Sequence, residues 1–301
     1  MSRGLYGCNM EGIHMKLFDY SKRFSRVAEA WIKQNAGKYK VEELEARVPD
    51  LYMKWLNTPA AWLDGATPAA YFDQFDSAPL LVEMLLAYCA KNIAVPDPLL
   101  DRISALGQPC VQPLLTLFAD ESADEKPRAL AGALLVEIGG EEPLDTCIRM
   151  IADENTPAEV REQAVSVLRG MGKGAENALL PAMEQAQGEA FGAYLDVLLD
   201  CSCDPRLYDW AVYGLRNYPD QREVYASFLL RLGDERAIEP LSRLLNSQDL
   251  GYLQYMEICN AIESLGGEVT VQREFSGDAD YEQLRQLPED EPEEQPDEPR
   301  E

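Results

Sequence analysis

Six helix breaks of one kind recur along the chain at nearly constant spacing. "ALGQP" stands at 105–109, "EIGGEEP" at 137–143, "GMGKGAE" at 170–176, "DCSCDP" at 200–205, "RLGDERA" at 231–237 and "SLGGE" at 264–268. With Gly107, Gly139, Gly172, Ser202, Gly233 and Gly266 as markers, the successive spacings are 32, 33, 30, 31 and 33 residues. A period of this length marks stacked units rather than one globular knot, because the apolar face of a helix pair needs a neighbour to cover it. Glycine suits the left-handed turn that ends many helices. Ser202 would be strained in that turn, so the fourth break is expected to take a different loop.

Each period splits into two helical halves. "PCVQPLLTLF" and "AIEPLSRLLN" are first halves that follow a marker; "PRALAGALLVEIG" and "QREVYASFLLRLG" are second halves that precede one. Pro113 and Pro240 are expected near the start of their helices, where a missing backbone donor costs little. In the second halves, Leu135, Leu168, Leu198, Leu229 and Ile262 stand four residues before the marker. Ala131, Ala164, Tyr194, Tyr225 and Ile258 stand eight before it. Positions four apart share one helix face, so these columns predict a continuous core between stacked helices.

Two further columns are candidate functional positions. Eleven residues before the marker stand Arg128, Arg161, Phe191, Arg222 and Tyr255. The recurring arginine either ties neighbouring units together through acids such as Asp124 and Asp153, or forms an anion site. Six before the marker stand Ala133, Ser166, Asp196, Ser227 and Asn260, all small or short and polar. They form either a solvated face or a ridge that a partner can approach closely.

"LGDERAIEPLSRLLNSQD" resembles the HEAT repeat, in the short HEAT-like form of bacteria. "PAEVREQAVSVLRGMG" resembles that family's second helix, with Val160-Arg161 at its V-R position. The resemblance covers about 105–268 and extends back to 77 through "PLLVEMLLAYCAKN" and "PDPLLDRISALG". It implies an all-α fold: a right-handed α-solenoid of about five to six helix pairs, with second helices lining a concave side.

Outside the repeats, 1–14 reads as a flexible leader and 15–76 as a small helical region. Met15 is a candidate natural start, and the single histidine, His14, lies before it. In "MKLFDYSKRFSRVAEAWIKQNAGK", Leu17, Tyr20, Phe24, Val27, Trp31 and Ile32 mark one helix face, ended by Gly37. Residues 15–40 carry seven Lys or Arg against Asp19 and Glu29. This basic helix either packs on the acidic body or docks a partner or membrane surface. Pro49 should split the next stretch into two helices. Trp55, Trp62, Tyr71 and Phe72 form either a small aromatic core or a recognition pocket. The segment 51–76 also resembles, over a short span, the W-L…P…L-x-G-x-T-P segment in toxin-binding domains of bacterial antitoxins. At the other end, 269–301 reads as an acidic, Pro-rich, largely disordered tail.

The net charge is -26. A polyanionic nucleic acid needs a positive surface, so it is excluded as a partner, and a basic protein or peptide fits better. The seven cysteines include the pair Cys201 and Cys203, but no second ligand pair completes a zinc site. No cofactor, metal or catalytic motif is apparent. "GMGKGAE" lacks both the preceding strand and the following Ser or Thr of a phosphate loop. With no apolar run of membrane length and no secretory signal, a cytoplasmic location is expected. The leading expectation is a non-enzymatic scaffold binding a protein or peptide along an acidic concave face. The alternatives are a HEAT-like enzyme, such as a chromophore lyase or DNA glycosylase, and an antitoxin-like regulatory partner using 51–76.

Overall fold

The computed structural model describes residues 16–247 and 249–285, and among these the regular structure is entirely helical. The leader 1–14 and residues 286–301 of the expected tail lie outside the described residues. The chain divides into two compact units, Met1–Gly174 and Ala175–Glu301.

The first unit opens with α1 (Tyr20–Asn35), α2 (Val41–Glu45) and α3 (Val48–Leu56). Asp19 caps α1 by accepting from the Lys22 amide at 2.8 Å, satisfying one orphan donor of the first turn. Pro49 starts α3 and separates it from α2, as its missing N–H requires. The expected apolar face of α1 is only partly covered. Tyr20 is buried, whereas Val27 and Ile32 are each 38% exposed, and Leu17 precedes the helix. Two short 3-10 turns, Ala61–Leu63 and Tyr71–Gln74, then lead to α4 (Ala78–Ala90) and α5 (Asp97–Leu106).

Next come α6 (Gln108–Phe118), α7 (Glu125–Ile138), α8 (Glu141–Ala152) and α9 (Ala158–Met171). Their packing follows two rows: α4 contacts α6 and α6 contacts α8, while α5 contacts α7 and α7 contacts α9. Sequential helices pair across the rows, α6 with α7 and α8 with α9. The unit boundary falls within α10 (Lys173–Met183).

The second unit continues with α11 (Gly188–Cys201), α12 (Arg206–Asn217), α13 (Arg222–Leu232), α14 (Ile238–Leu244), α15 (Tyr252–Ser264) and α16 (Ala279–Arg285). Here α11, α13 and α15 form a row, with α12 packed on α11 and α13, and α14 on α15.

The predicted core columns are buried. Leu135, Leu168, Leu198, Leu229 and Ile262 are wholly inaccessible, as are Ala131, Ala164, Tyr225 and Ile258, with Tyr194 nearly so. Each leucine or isoleucine removed from water contributes about 1.5–3 kcal/mol. The glycine markers take positive φ, for example 70° at Gly107 and 65° at Gly233. Ser202 instead adopts extended backbone, φ -121° and ψ 150°, and its hydroxyl accepts from the Asp204 amide at 3.1 Å. A Cβ disfavours the left-handed turn there, and the side chain supplies the local hydrogen bond instead.

One expectation, on the helix prolines, needs correction, and the described part of the expected tail carries a helix. Pro240 is in the first turn of α14, but Pro113 is the sixth residue of α6, where it removes an intrahelical hydrogen bond. Pro181 likewise lies inside α10. The onset of the tail is also structured. Asp278 accepts from the amides of Tyr252, Asp280 and Tyr281, each at 3.1 Å, and α16 packs on α15. Tyr281 meets Tyr252 with ring centroids 5.1 Å apart. Phe275 and Tyr281, the two aromatics of 269–301, both pack on Tyr252 outside that stretch, which local composition does not register.

Close approach between α12 and α13 depends on Gly214. A Cβ there would lie 2.2 Å from Cε1 of the fully buried Tyr225 ring. Gly214→Ala is expected to lower the unfolding free energy in urea by about 1–3 kcal/mol. Gly37→Ala, where a Cβ meets nothing within 4 Å, is expected to change it by less than about 0.5 kcal/mol. Equal midpoints and slopes for the two variants would contradict the packing.

Candidate functional site

The arginine column is largely internal. Arg128 on α7 and Arg222 on α13 are buried to 4% and 8% exposure. A buried guanidinium is costly unless a carboxylate compensates it. Arg128 Nη2 pairs with Glu159 on α9, 31 residues on. Arg222 Nη1 lies 3.1 Å from Asp249 Oδ1, in the loop before α15. Both pairs join one unit of the period to the next. The acceptors Glu159 and Asp249 come from the following unit, whereas Asp124, nominated beside Arg128, comes from the preceding loop. Arg161 donates to the Thr156 carbonyl at 3.1 Å. Asp153 is held below the usual carboxylate range, first by hydrogen bonds from Asn155 and further by the Arg161 charge.

The small polar column is less uniform than its spacing implies. Ser166 and Asn260 are exposed, whereas Asp196 and Ser227 are half-buried. In the second unit, Arg231 reaches both Asp196 and Asp200 at 2.6 Å. Asp196 is thus part of an ion-pair network between α11 and α13.

The aromatic segment of the first unit is mainly core. Tyr20 meets Trp55 and Trp62 edge-on at 5.8 and 5.6 Å, and donates its hydroxyl to the Pro68 carbonyl at 3.2 Å. Arg23 lies 4.1 Å from the Trp62 centroid. Tyr88 closes the base: its hydroxyl accepts from the Phe18 amide at 3.1 Å, and burial pushes it up to about 12. Trp55 also borders a cavity of about 500 Å³ with Val27, Trp31, Leu51 and Lys54. Core and pocket readings of this segment therefore apply to different faces of one cluster.

Burial shapes what the thiols can do. It raises Cys89, Cys110 and Cys259, and takes Cys147 up to about 12. Such thiols stay protonated near neutral pH and are poor nucleophiles. Among the described residues no group of three or more His, Cys, Asp or Glu could hold a metal, and no helix is long and apolar enough to cross a membrane.

The second unit holds a larger cavity, of about 600 Å³, that the sequence columns did not indicate. Phe191, Trp210, Tyr213 and Tyr218 wall it, and Glu184 is the charged residue on its rim. These residues come from α11, α12 and the loops beside them, so no single periodic column contains them. No family model matches the chain, and no curated protein is similar to it.

Asp249 gives a direct test of the Arg222 tie. The Arg222 guanidinium 3.1 Å away, then the Ser247 hydroxyl, holds its carboxyl down at about 2. An unfolded aspartate titrates near about 3.9. The stabilisation is therefore complete above about pH 4 and is lost as pH falls towards about 2. Asp249→Asn is expected to melt at a lower temperature than the wild type at neutral pH, with the difference closing across that window. A difference that stays constant down to about pH 2 would argue against the pair.

Proposed function

We propose that the chain is a right-handed HEAT-like α-solenoid of about five to six helix pairs that serves as a non-enzymatic adaptor for a basic protein or peptide. The observation that carries the reading is the row order of helices within each unit, together with the charge. Helices packed on their next-but-one neighbours are the expected outcome of a stacked repeat. Residues 175–285 hold 20 acidic against 8 basic residues, a net of -12. A field of that sign draws cationic partners and repels nucleic acid.

The two columns then divide the labour. Arg128 and Arg222 are internal ties, and Arg161 sits in the same register. Ser166, Ser227 and Asn260 are the positions through which a partner approaches. Asp196 contributes to the acidic surface while holding Arg231. The cavity beside Trp55 favours a second reading, in which 51–76 docks a regulatory partner.

The adaptor reading is tested with a fluorescently labelled nona-arginine and a nona-glutamate control. Binding of the arginine peptide is expected to weaken steeply as salt rises. Replacing Ser227 and Asn260, both in the second unit, together by arginine is expected to reduce its affinity at least about tenfold without lowering the melting temperature. Full affinity in that variant would remove this face from the proposal.

A further inference from the structure

The 600 Å³ cavity of the second unit has the make-up of a cation receptor. Phe191 projects from α11, Trp210 and Tyr213 from α12, and Tyr218 directly follows α12. The Phe191 ring centroid lies 5.4 Å from Tyr213 and 5.5 Å from Tyr218. Tyr213 and Tyr218 stand nearly edge to face, 6.4 Å apart at 76°.

The walls are held in place. Tyr218 stacks on the buried Tyr225 at 5.7 Å and 21°. The Gly188 amide, in a residue with φ 56°, donates to the Tyr218 hydroxyl at 3.2 Å. That bond fixes the 184–188 loop against the ring. Tyr213, by contrast, is 50% exposed, a large aromatic left open to solvent beside the cavity.

We infer that this cavity receives a cationic side chain, an arginine, from the partner. This rests on the adaptor reading above and names the anchor within it. Aromatic faces carry negative electrostatic potential and attract a guanidinium, most strongly where water is partly excluded. The rim carboxylate of Glu184, although paired with Arg206 at 3.2 Å, is the one charged residue lining the cavity, and residues 175–285 around it carry a net charge of -12. An anion would meet both Glu184 and the acidic field of the unit.

One wall already accommodates this chemistry. The Arg206 guanidinium lies 5.0 Å from the Trp210 centroid and 3.2 Å from Glu184. Asp204 fixes Arg206 with contacts of 3.0 Å at Nε and 2.9 Å at Nη2. Arg206 therefore stays on the Trp210 wall, and an incoming guanidinium engages Tyr213 and Tyr218, whose rings are backed by the buried Phe191.

The test uses the full chain and a neutral-flanked tripeptide, acetyl-Gly-Arg-Gly-amide, with its citrulline isostere as the uncharged control. The readout is the Trp210 indole N–H resonance, assigned by Trp210→Phe. The arginine peptide is expected to shift that resonance saturably, leaving those of Trp31, Trp55 and Trp62 in place. The citrulline peptide should bind at least about threefold more weakly, and Tyr213→Ala and Glu184→Gln should each weaken the arginine peptide by a similar factor. Tyr213 is exposed enough for its truncation to leave the fold intact, which a melting curve checks.

No saturable Trp210 shift, equal binding of the two peptides, or full binding in Tyr213→Ala would overturn the inference. A nona-arginine arm separates this failure from that of the adaptor reading. If the nonamer still binds while the tripeptide does not, only the cavity assignment falls. If neither binds, the basic-partner reading falls with it.

Discussion

The apolar stripe on the second helix of each period is the constraint from which the rest follows. Leu135, Leu168, Leu198, Leu229 and Ile262 leave water completely, and the rows α7–α9 and α11–α13–α15 bring successive stripes together. A lone helix pair would leave such a stripe partly wet. The glycine breaks serve this requirement by reversing the chain within a few residues, and Gly214 serves it by letting Tyr225 come against the backbone of α12. Where the break lacks glycine, at Ser202, the chain still turns but uses extended backbone and a side-chain hydrogen bond.

Polar chemistry is fitted around that stripe rather than opposed to it. Arg128 and Arg222 are the costly residues, since each guanidinium is taken largely out of water. Their compensation by Glu159 and Asp249 spans one unit of the period, so the same groups that carry the cost also help fix the register of neighbours. The surplus of acidic residues stays outside. It provides the long-range attraction on which the adaptor reading depends, while short-range selectivity would come from apolar and aromatic surface.

Much of this was legible in the residues because periodicity is a local signal. Columns four apart on a helix mark a buried face wherever the chain places it, and Tyr194 and Tyr225 fell into their column despite their hydroxyls. Other features were hidden for a common reason. The partner of Arg128 lies 31 residues away in a chain crowded with acids, so proximity in sequence favoured Asp124 without warrant. Pro113 lies in the interior of α6 because that helix starts directly at Gln108, whereas a 3-10 turn precedes α14 and leaves Pro240 in its first turn. The helix α16 looked unstructured because its anchor, Tyr252, lies outside the acidic segment. The cavity has no periodic signature: Phe191 shares a column with arginines, and Trp210, Tyr213 and Tyr218 belong to no column.

The sequence by itself determined the helical class, the breaks, the buried face of each second helix and the sign of the electrostatic field. These depend on local geometry, hydrophobic period and composition, which every conformation of the chain shares. Tertiary structure alone decided which acid compensates each buried arginine, which aromatic rings enclose space and which fill it, and how far the ordered helices extend. Those outcomes depend on distances between groups remote in the chain, and such distances take definite values only once the stripes have found their neighbours.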